Sequence, residues 1–320
     1  MTLSQQLTMI VGNRMFENEP MFKHTNFRIG GPAKWFVEIK SLDELQGVLE
    51  VIKENQLSFF VLGGGSNILV SDQGFDGVVV KMAMRTYEIQ GKRIKSDAGV
   101  LASALARATA THGLKGLTWA ISLPGTVGGG VRGNAGCFGG EMKDYFISAF
   151  VLRDGELIEL KKEDLAFGYR ESVIKHNNDI IVSATFELQE GDPTELKIEL
   201  DDKLMRRKKS QPLDAGSAGC LFKNYEIKND EDVQRLASYA DIPPEMWSAR
   251  RISAGWLIDN LGLKGTHIGG AKISEQHGNF VVNTGSATAD DVVQLVALIK
   301  TRARNEYGIV LQEEVQYVGF

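Results

Sequence analysis

Two glycine-dense loops most limit what this chain can fold into. The first, Gly63-Gly64-Gly65-Ser66-Asn67, follows the apolar run Phe59 to Leu62, and the second extends from Pro124 to Gly140. Glycine lacks a Cβ, so runs of it weaken regular structure and suit a backbone that must approach something closely. On that ground the second segment is expected to be irregular. The first offers successive unhindered N–H groups after a strand, an arrangement able to cradle a pyrophosphate with no lysine in the loop. It is not a P-loop, and it lacks the GxGxxG spacing of a Rossmann fold. One such cluster alone is more often a tight turn. Two long ones in one chain suggest a single extended, phosphate-bearing cofactor. Asn67 and Asn134 could bond its polar rim, or could serve as turn residues that tolerate left-handed geometry.

The flanking elements read as α+β. Trp35 to Ile39 is strand-like, and Ser41-Leu42-Asp43-Glu44 has a capping-box pattern opening a helix with Leu45, Val48, Leu49 and Ile52 on one face. Strands at Phe59 to Leu62 and Val78 to Met82 complete a β-α-β start. From Ala98 to His112, Leu101, Ala104, Leu105 and Ala108 recur at helical spacing before Gly113. Phe150 to Leu152 and Ile180 to Phe186 are strand-like, Pro193 to Lys209 reads as a charged helix, and a helix opened by Thr288 and Asp291 carries Val292, Leu295, Val296 and Ile299. The run Val310 to Val318 is a candidate strand returning to the first domain.

Composition narrows the function classes. With 320 residues, 43% hydrophobic and 24% charged, the chain suits a soluble globular protein of two or three domains. A net charge of -5 gives no field to attract nucleic acid or an anionic membrane, so a small-molecule partner is expected. Cys137 and Cys220 stand far apart with no CxxC or paired-histidine spacing, which supports neither a disulfide framework nor a metal site. Met1 to Ile10 lacks the pattern of a secretory leader, and no stretch approaches an apolar membrane span. A cytoplasmic protein, a monomer or weak oligomer, is the expectation.

Val61-Leu62-Gly63-Gly64-Gly65-Ser66-Asn67-Ile68-Leu69-Val70 and Pro124-Gly125-Thr126-Val127-Gly128-Gly129, with Asn134-Ala135-Gly136, resemble the FAD-binding segments of the UDP-N-acetylenolpyruvoylglucosamine reductase family. The similarity continues through Thr25 to Gly31, Gly168-Tyr169-Arg170-Glu171-Ser172, Gly255 to Asp259 and Leu263-Lys264-Gly265, so it spans nearly the whole chain. It implies a three-lobed α+β flavoprotein with a p-cresol methylhydroxylase-type FAD-binding region of two subdomains and a C-terminal α+β substrate-binding domain. The boundaries it suggests are 1–84 plus 305–320 for the first FAD-binding subdomain, 85–208 for the second, and 209–304 for the substrate-binding domain. No histidine lies between Phe59 and Asp76, so noncovalent FAD is implied. The stretch after Phe186 is too short for the tyrosine-bearing insertion of one subclass, and His24 reads as structural or substrate-proximal.

The implied activity is NADPH-dependent reduction of UDP-N-acetylglucosamine enolpyruvate to UDP-N-acetylmuramate, a step in peptidoglycan precursor synthesis. Hydride addition to the enolpyruvyl methylene drives charge into the adjacent carboxylate, and the resemblance assigns Arg170 to stabilise it. The family pattern Leu-Glu-Pro-Glu-Val stands here as Leu311-Gln312-Glu313-Glu314-Val315, which selects Glu314 as a second stabiliser. Strand alternation would put Glu313 on the opposite face. Where the family has a proton-donating serine, this chain has Cys220 in Gly219-Cys220-Leu221-Phe222-Lys223-Asn224. A thiol of pKa about 8.5 is mostly protonated at neutral pH and is a competent donor. The alternatives are a packing role for Cys220 with Ser217 as donor. Tyr169, Lys209, Asn224 and Lys264 match substrate-binding positions, His277 and Asn279 are expected to line the same cleft, and Cys137 is read as packing or near the cofactor. Competing functions are an FAD-dependent alcohol or sugar oxidase or dehydrogenase of the same fold, and an inactive nucleotide-sugar binder.

Overall fold

The computed structural model describes residues 1–239 and 242–320 and divides into two compact units. The N-terminal unit comprises residues 1–19, 33–65 and 75–209. The C-terminal unit comprises residues 20–32, 66–74 and 210–320. Each has its own apolar core.

The N-terminal unit is built on a four-stranded and a five-stranded sheet. In the first, the strands run in the order Met15–Pro20, Pro32–Ile39, Phe75–Met82, Phe59–Leu62, and the last three are mutually parallel. Helix Leu42–Glu54 makes the crossover, burying Leu45, Val48 and Ile52. Ser41 caps it by accepting the Glu44 N–H, but the expected reciprocal bond is absent. Glu44 instead accepts from the Lys40 amide and forms a two-pronged pair with Arg14 at 2.6 and 2.8 Å, which holds its carboxyl below the usual range. The second sheet is wholly antiparallel in the order Glu156–Lys161, Phe146–Arg153, Ile180–Glu187, Arg93–Asp97, Tyr87–Gln90.

Two expectations for this unit fail. Helix Ala102–Thr111 buries Ala102, Leu105, Ala106, Thr109 and Ala110, whereas Leu101 is its exposed N-cap and Ala104 is exposed. Alanine carries too little apolar contrast to mark which face turns inward. The second glycine segment is also not irregular throughout, because Val127–Arg132 is a short helix capped by Thr126. Two of its three glycines are closely packed: a Cβ on Gly128 would lie 2.7 Å from the Ala98 Cβ, and one on Gly130 would lie 2.4 Å from the Met142 Cε.

In the C-terminal unit, helix Ala289–Tyr307 opens with a complete Thr288–Asp291 capping box and buries Val292, Leu295, Val296 and Ile299, as the spacing requires. Helix Ala254–Asn260 and the antiparallel strands His267–Ile268, Ala271–Ile273 and Val281–Asn283 join it around Phe27, Phe222, Leu257 and Ile258. Of the run Val310 to Val318, only Gln316–Val318 is a strand, paired in parallel with Ile68–Val70. The C-terminal strand thus pairs with a segment from the first 84 residues, and by contact both strands group with this unit. Among the described residues, no helix is long and apolar enough to cross a membrane, and no group of His, Cys, Asp or Glu could hold a metal ion.

Candidate active site

In the N-terminal unit the two glycine loops meet. A Cβ on Gly63 would lie 2.7 Å from the Thr126 Oγ1, and one on Gly64 would lie 2.7 Å from the Gly125 Cα. Both positions therefore require glycine for the loops to touch. Gly65 is buried at φ +65°, and the Gly64 and Gly65 amides donate to no acceptor among the described residues. Beneath the loop, Lys81 donates from Nζ to the Gly63 carbonyl, and burial, then Arg85, lowers its pKa to about 8. Lys81 was not singled out from the sequence, since it sits in an apolar strand where a lysine reads as edge solvation.

The second loop leads to Arg170. Asn134 is fully buried at φ +40°. Its Nδ2 donates to the Glu141 carboxylate at 2.7 Å and the Gly168 carbonyl at 2.8 Å, while its Oδ1 accepts the Lys143 N–H at 3.1 Å. The side chain thus ties the glycine loop to Gly168-Tyr169-Arg170 and has no donor left for a cofactor rim, so only the turn reading survives. The next residues, Ala135 and Gly136, continue into a hairpin in which Gly136 and Cys137 pair with Glu141 and Gly140. Arg170 is half-buried, at φ +56°, and donates to the Gly136 carbonyl at 2.6 Å. Its guanidinium lies 5.6 Å from the Tyr169 ring. The Cys137 thiol donates to the Trp119 carbonyl at 3.3 Å, and burial pushes its pKa up. Lys209 is exposed in the last turn of helix Pro193–Ser210.

The C-terminal unit brings Cys220 and Glu314 onto adjoining segments. The Glu314 N–H donates to the Leu221 carbonyl at 2.7 Å, and the Lys223 N–H to the Gln312 carbonyl at 2.9 Å. Glu314 also accepts at its carbonyl from Asn67 Nδ2, at 3.0 Å, so that amide is used within the protein. The Glu313 carboxylate pairs with Lys300 Nζ at 2.7 Å. Ser217 is half-buried, its N–H bonded to the Asn26 carbonyl.

The anchoring candidates already have protein partners. Asn224 Oδ1 accepts the Ala254 N–H at 3.1 Å, and Lys264 is ion-paired with Asp259. His277 lies edge-on to Phe280 with ring centroids 4.9 Å apart, and burial, then Lys264, lowers its pKa. Asn279 is 2% exposed, which removes it as a cleft-lining residue. Its place inside the unit is visible only in three dimensions.

Residues 33–161 match the model of the FAD binding domain, and residues 211–318 match that of the UDP-N-acetylenolpyruvoylglucosamine reductase C-terminal domain. The UDP-N-acetylenolpyruvoylglucosamine reductase of Clostridioides difficile strain 630 is 40% identical over 305 residues, covering 94% of this chain and 92% of that one. The chain belongs to the UDP-N-acetylenolpyruvoylglucosamine reductase family. The Clostridium novyi strain NT reductase agrees at 36% over 320 residues, with 99% and 96% covered. The crystal structure of the Thermus caldophilus reductase superposes with a TM-score of 0.75 at 33% identity, covering 95% of this chain and 99% of that one. Family membership makes the chain an FAD-containing oxidoreductase with an α+β flavoprotein fold.

Proposed function

We propose that this chain reduces UDP-N-acetylglucosamine enolpyruvate to UDP-N-acetylmuramate in the cytoplasm, with NADPH as the reductant, and that it does so without membrane or nucleic-acid partners. The family match over 94% of the chain carries the reading. The interlocked loops fit FAD chemically, since the Gly64 and Gly65 amides, which donate to no acceptor among the described residues, suit a pyrophosphate. Residues Gly63 to Asn67, Pro124 to Thr126, Gly128, Gly129 and Asn134 to Gly136 would form or shape the cradle, with Asn134 organising it from behind. FAD, when bound, supplies the hydride that reaches the enolpyruvyl methylene.

The protein's own residues then manage charge and the proton. Arg170, held by the Gly136 carbonyl, stabilises negative charge on the substrate carboxylate. Cys220 donates the proton to the carbon bearing that carboxylate. Glu314 assists from the segment bonded to Leu221, and the Glu313–Lys300 pair supports choosing Glu314 over its neighbour. Tyr169, Lys209, Asn224 and Lys264 hold the nucleotide sugar, Lys264 exchanging Asp259 for phosphate oxygens. The division of the N-terminal unit into two FAD-binding subdomains, followed by a substrate-binding domain, belongs to this reading.

The test is anaerobic. NADPH should bleach the flavin of the purified protein, and the enolpyruvyl nucleotide sugar should restore its absorbance. Bleaching without recovery would indicate an oxidase or an inactive binder, and a protein that takes up no FAD would overturn the assignment.

A further inference from the structure

Cys220 lies outside any regular element, yet its segment is gripped on both edges. Isolated bridges join Gly216 to Asn283, Cys220 to Phe280 and Phe222 to Glu313. On one edge the Leu221 N–H donates to the Asn279 carbonyl at 2.8 Å, and on the other the Leu221 carbonyl accepts the Glu314 N–H. Phe222 is held differently. Its N–H donates to Asn279 Oδ1 at 3.0 Å, and its carbonyl accepts from Asn279 Nδ2 at 2.8 Å. A single carboxamide therefore replaces the peptide group that a neighbouring strand would supply. Asn279 is 2% exposed and Phe222 is 1% exposed, so neither bond can be exchanged for bulk water.

The clamp is itself anchored. The Asn279 N–H donates to His277 Nδ1 at 3.2 Å, which requires the ring nitrogen to carry no proton. Packing of His277 against Phe280 continues the support to the residue that bridges Cys220. Gly219, at φ +79°, turns the chain immediately before the thiol, so the Cys220 backbone takes its direction from the residues that follow it. Those residues are the ones Asn279 holds.

We propose that Asn279 is a positioning residue for proton delivery: its carboxamide fixes the Cys220–Phe222 backbone so that the Cys220 thiol meets the substrate carbon. The inference rests on Cys220 being the proton donor. At 2% exposure Asn279 offers almost no surface to substrate or cofactor. Removing the carboxamide would leave a buried N–H and a buried carbonyl without partners, and the segment would shift to satisfy them. A displacement of about 1 Å at a reacting group can cost on the order of 100-fold in rate.

The experiment separates the two half-reactions of the FAD-loaded enzyme by anaerobic stopped flow. For Asn279→Ala, flavin reduction by NADPH should stay within about twofold of wild type, while reoxidation by UDP-N-acetylglucosamine enolpyruvate should slow by about tenfold or more. The solvent deuterium isotope effect on reoxidation should rise as proton delivery becomes limiting. Should Asn279→Ala fail to fold, Asn279→Ser leaves room for a water to partner Phe222 and should show the same split. Variants with wild-type flavin spectra in which neither half-reaction slows, or in which both slow alike, would overturn the proposal. A wild-type protein whose reduced flavin is not reoxidised by the enolpyruvyl compound would overturn the underlying function as well, and is recognised before any variant is made.

Discussion

Gly64→Ala probes the contact on which the cofactor cradle depends. The added Cβ would lie 2.7 Å from the Gly125 Cα, 3.3 Å from the Gly125 carbonyl carbon and 3.4 Å from the Thr126 nitrogen. All three are backbone atoms, so no side chain can swing aside. The loops must part by roughly 0.7 Å to restore ordinary contact, and overpacking of this kind costs about 1–3 kcal/mol. Taken wholly from cofactor binding, that is a loss of about 5- to 150-fold in FAD affinity. Flavin fluorescence quenching gives the dissociation constant, and thermal melts with and without FAD divide the cost between fold and binding. Gly129→Ala is the matched control, because its Cβ meets only the Thr126 Oγ1, at 3.6 Å. It lies in helix Val127–Arg132, where alanine is favoured over glycine by about 1 kcal/mol, so the protein without FAD should be no less stable. If FAD lies along that face, affinity alone should fall. A Gly64→Ala protein with wild-type stability and FAD affinity would refute the interlocked-loop argument.

Four positions in the C-terminal unit give further outcomes. Glu314→Gln should slow turnover of the enolpyruvyl substrate while leaving flavin reduction by NADPH intact. Glu313→Gln, losing only a partly exposed pair with Lys300, should cost under about 1 kcal/mol of stability and leave turnover unchanged, and the reverse ranking in steady-state kinetics would move the assignment to Glu313. Cys220→Ala should slow reoxidation by about 10²- to 10⁴-fold, with Cys220→Ser retaining more activity, and equal rates for all three proteins would point to Ser217. His277 has its pKa lowered from 6.5 by burial, so as pH falls through that value the unfolded chain takes up the proton first and stability is lost. Thermal melts between pH 7.5 and 5.5 should show a shallower decline for His277→Asn, and identical slopes would remove His277 from that balance.

Much of this protein was legible in one dimension because the signals are local. The Thr288–Asp291 capping box, the period of Val292, Leu295, Val296 and Ile299, and the strand at Ile180–Glu187 involve residues close in sequence. Local rules failed where chemical contrast was weak, as on the alanine-rich helix Ala102–Thr111. They also failed where a residue serves a distant partner. Glu44 turns to Arg14 when its own helix end would also accept it, and Gly128 accommodates Ala98, a residue thirty positions earlier.

The sequence by itself therefore determined the kind of protein: colinear motifs name the family, and the glycine loops mark the segments proposed to hold its cofactor. Tertiary structure decided which side chains remain available for chemistry. Asn134 and Asn67 looked alike as cofactor ligands, yet their amides bond to Gly168 and Glu314. Asn279 looked like a cleft residue and instead clasps Phe222, 57 positions away. A side-chain amide bonds to whichever peptide group the fold carries within about 3 Å, and that depends on how separated segments pack together, which no local pattern of residues encodes.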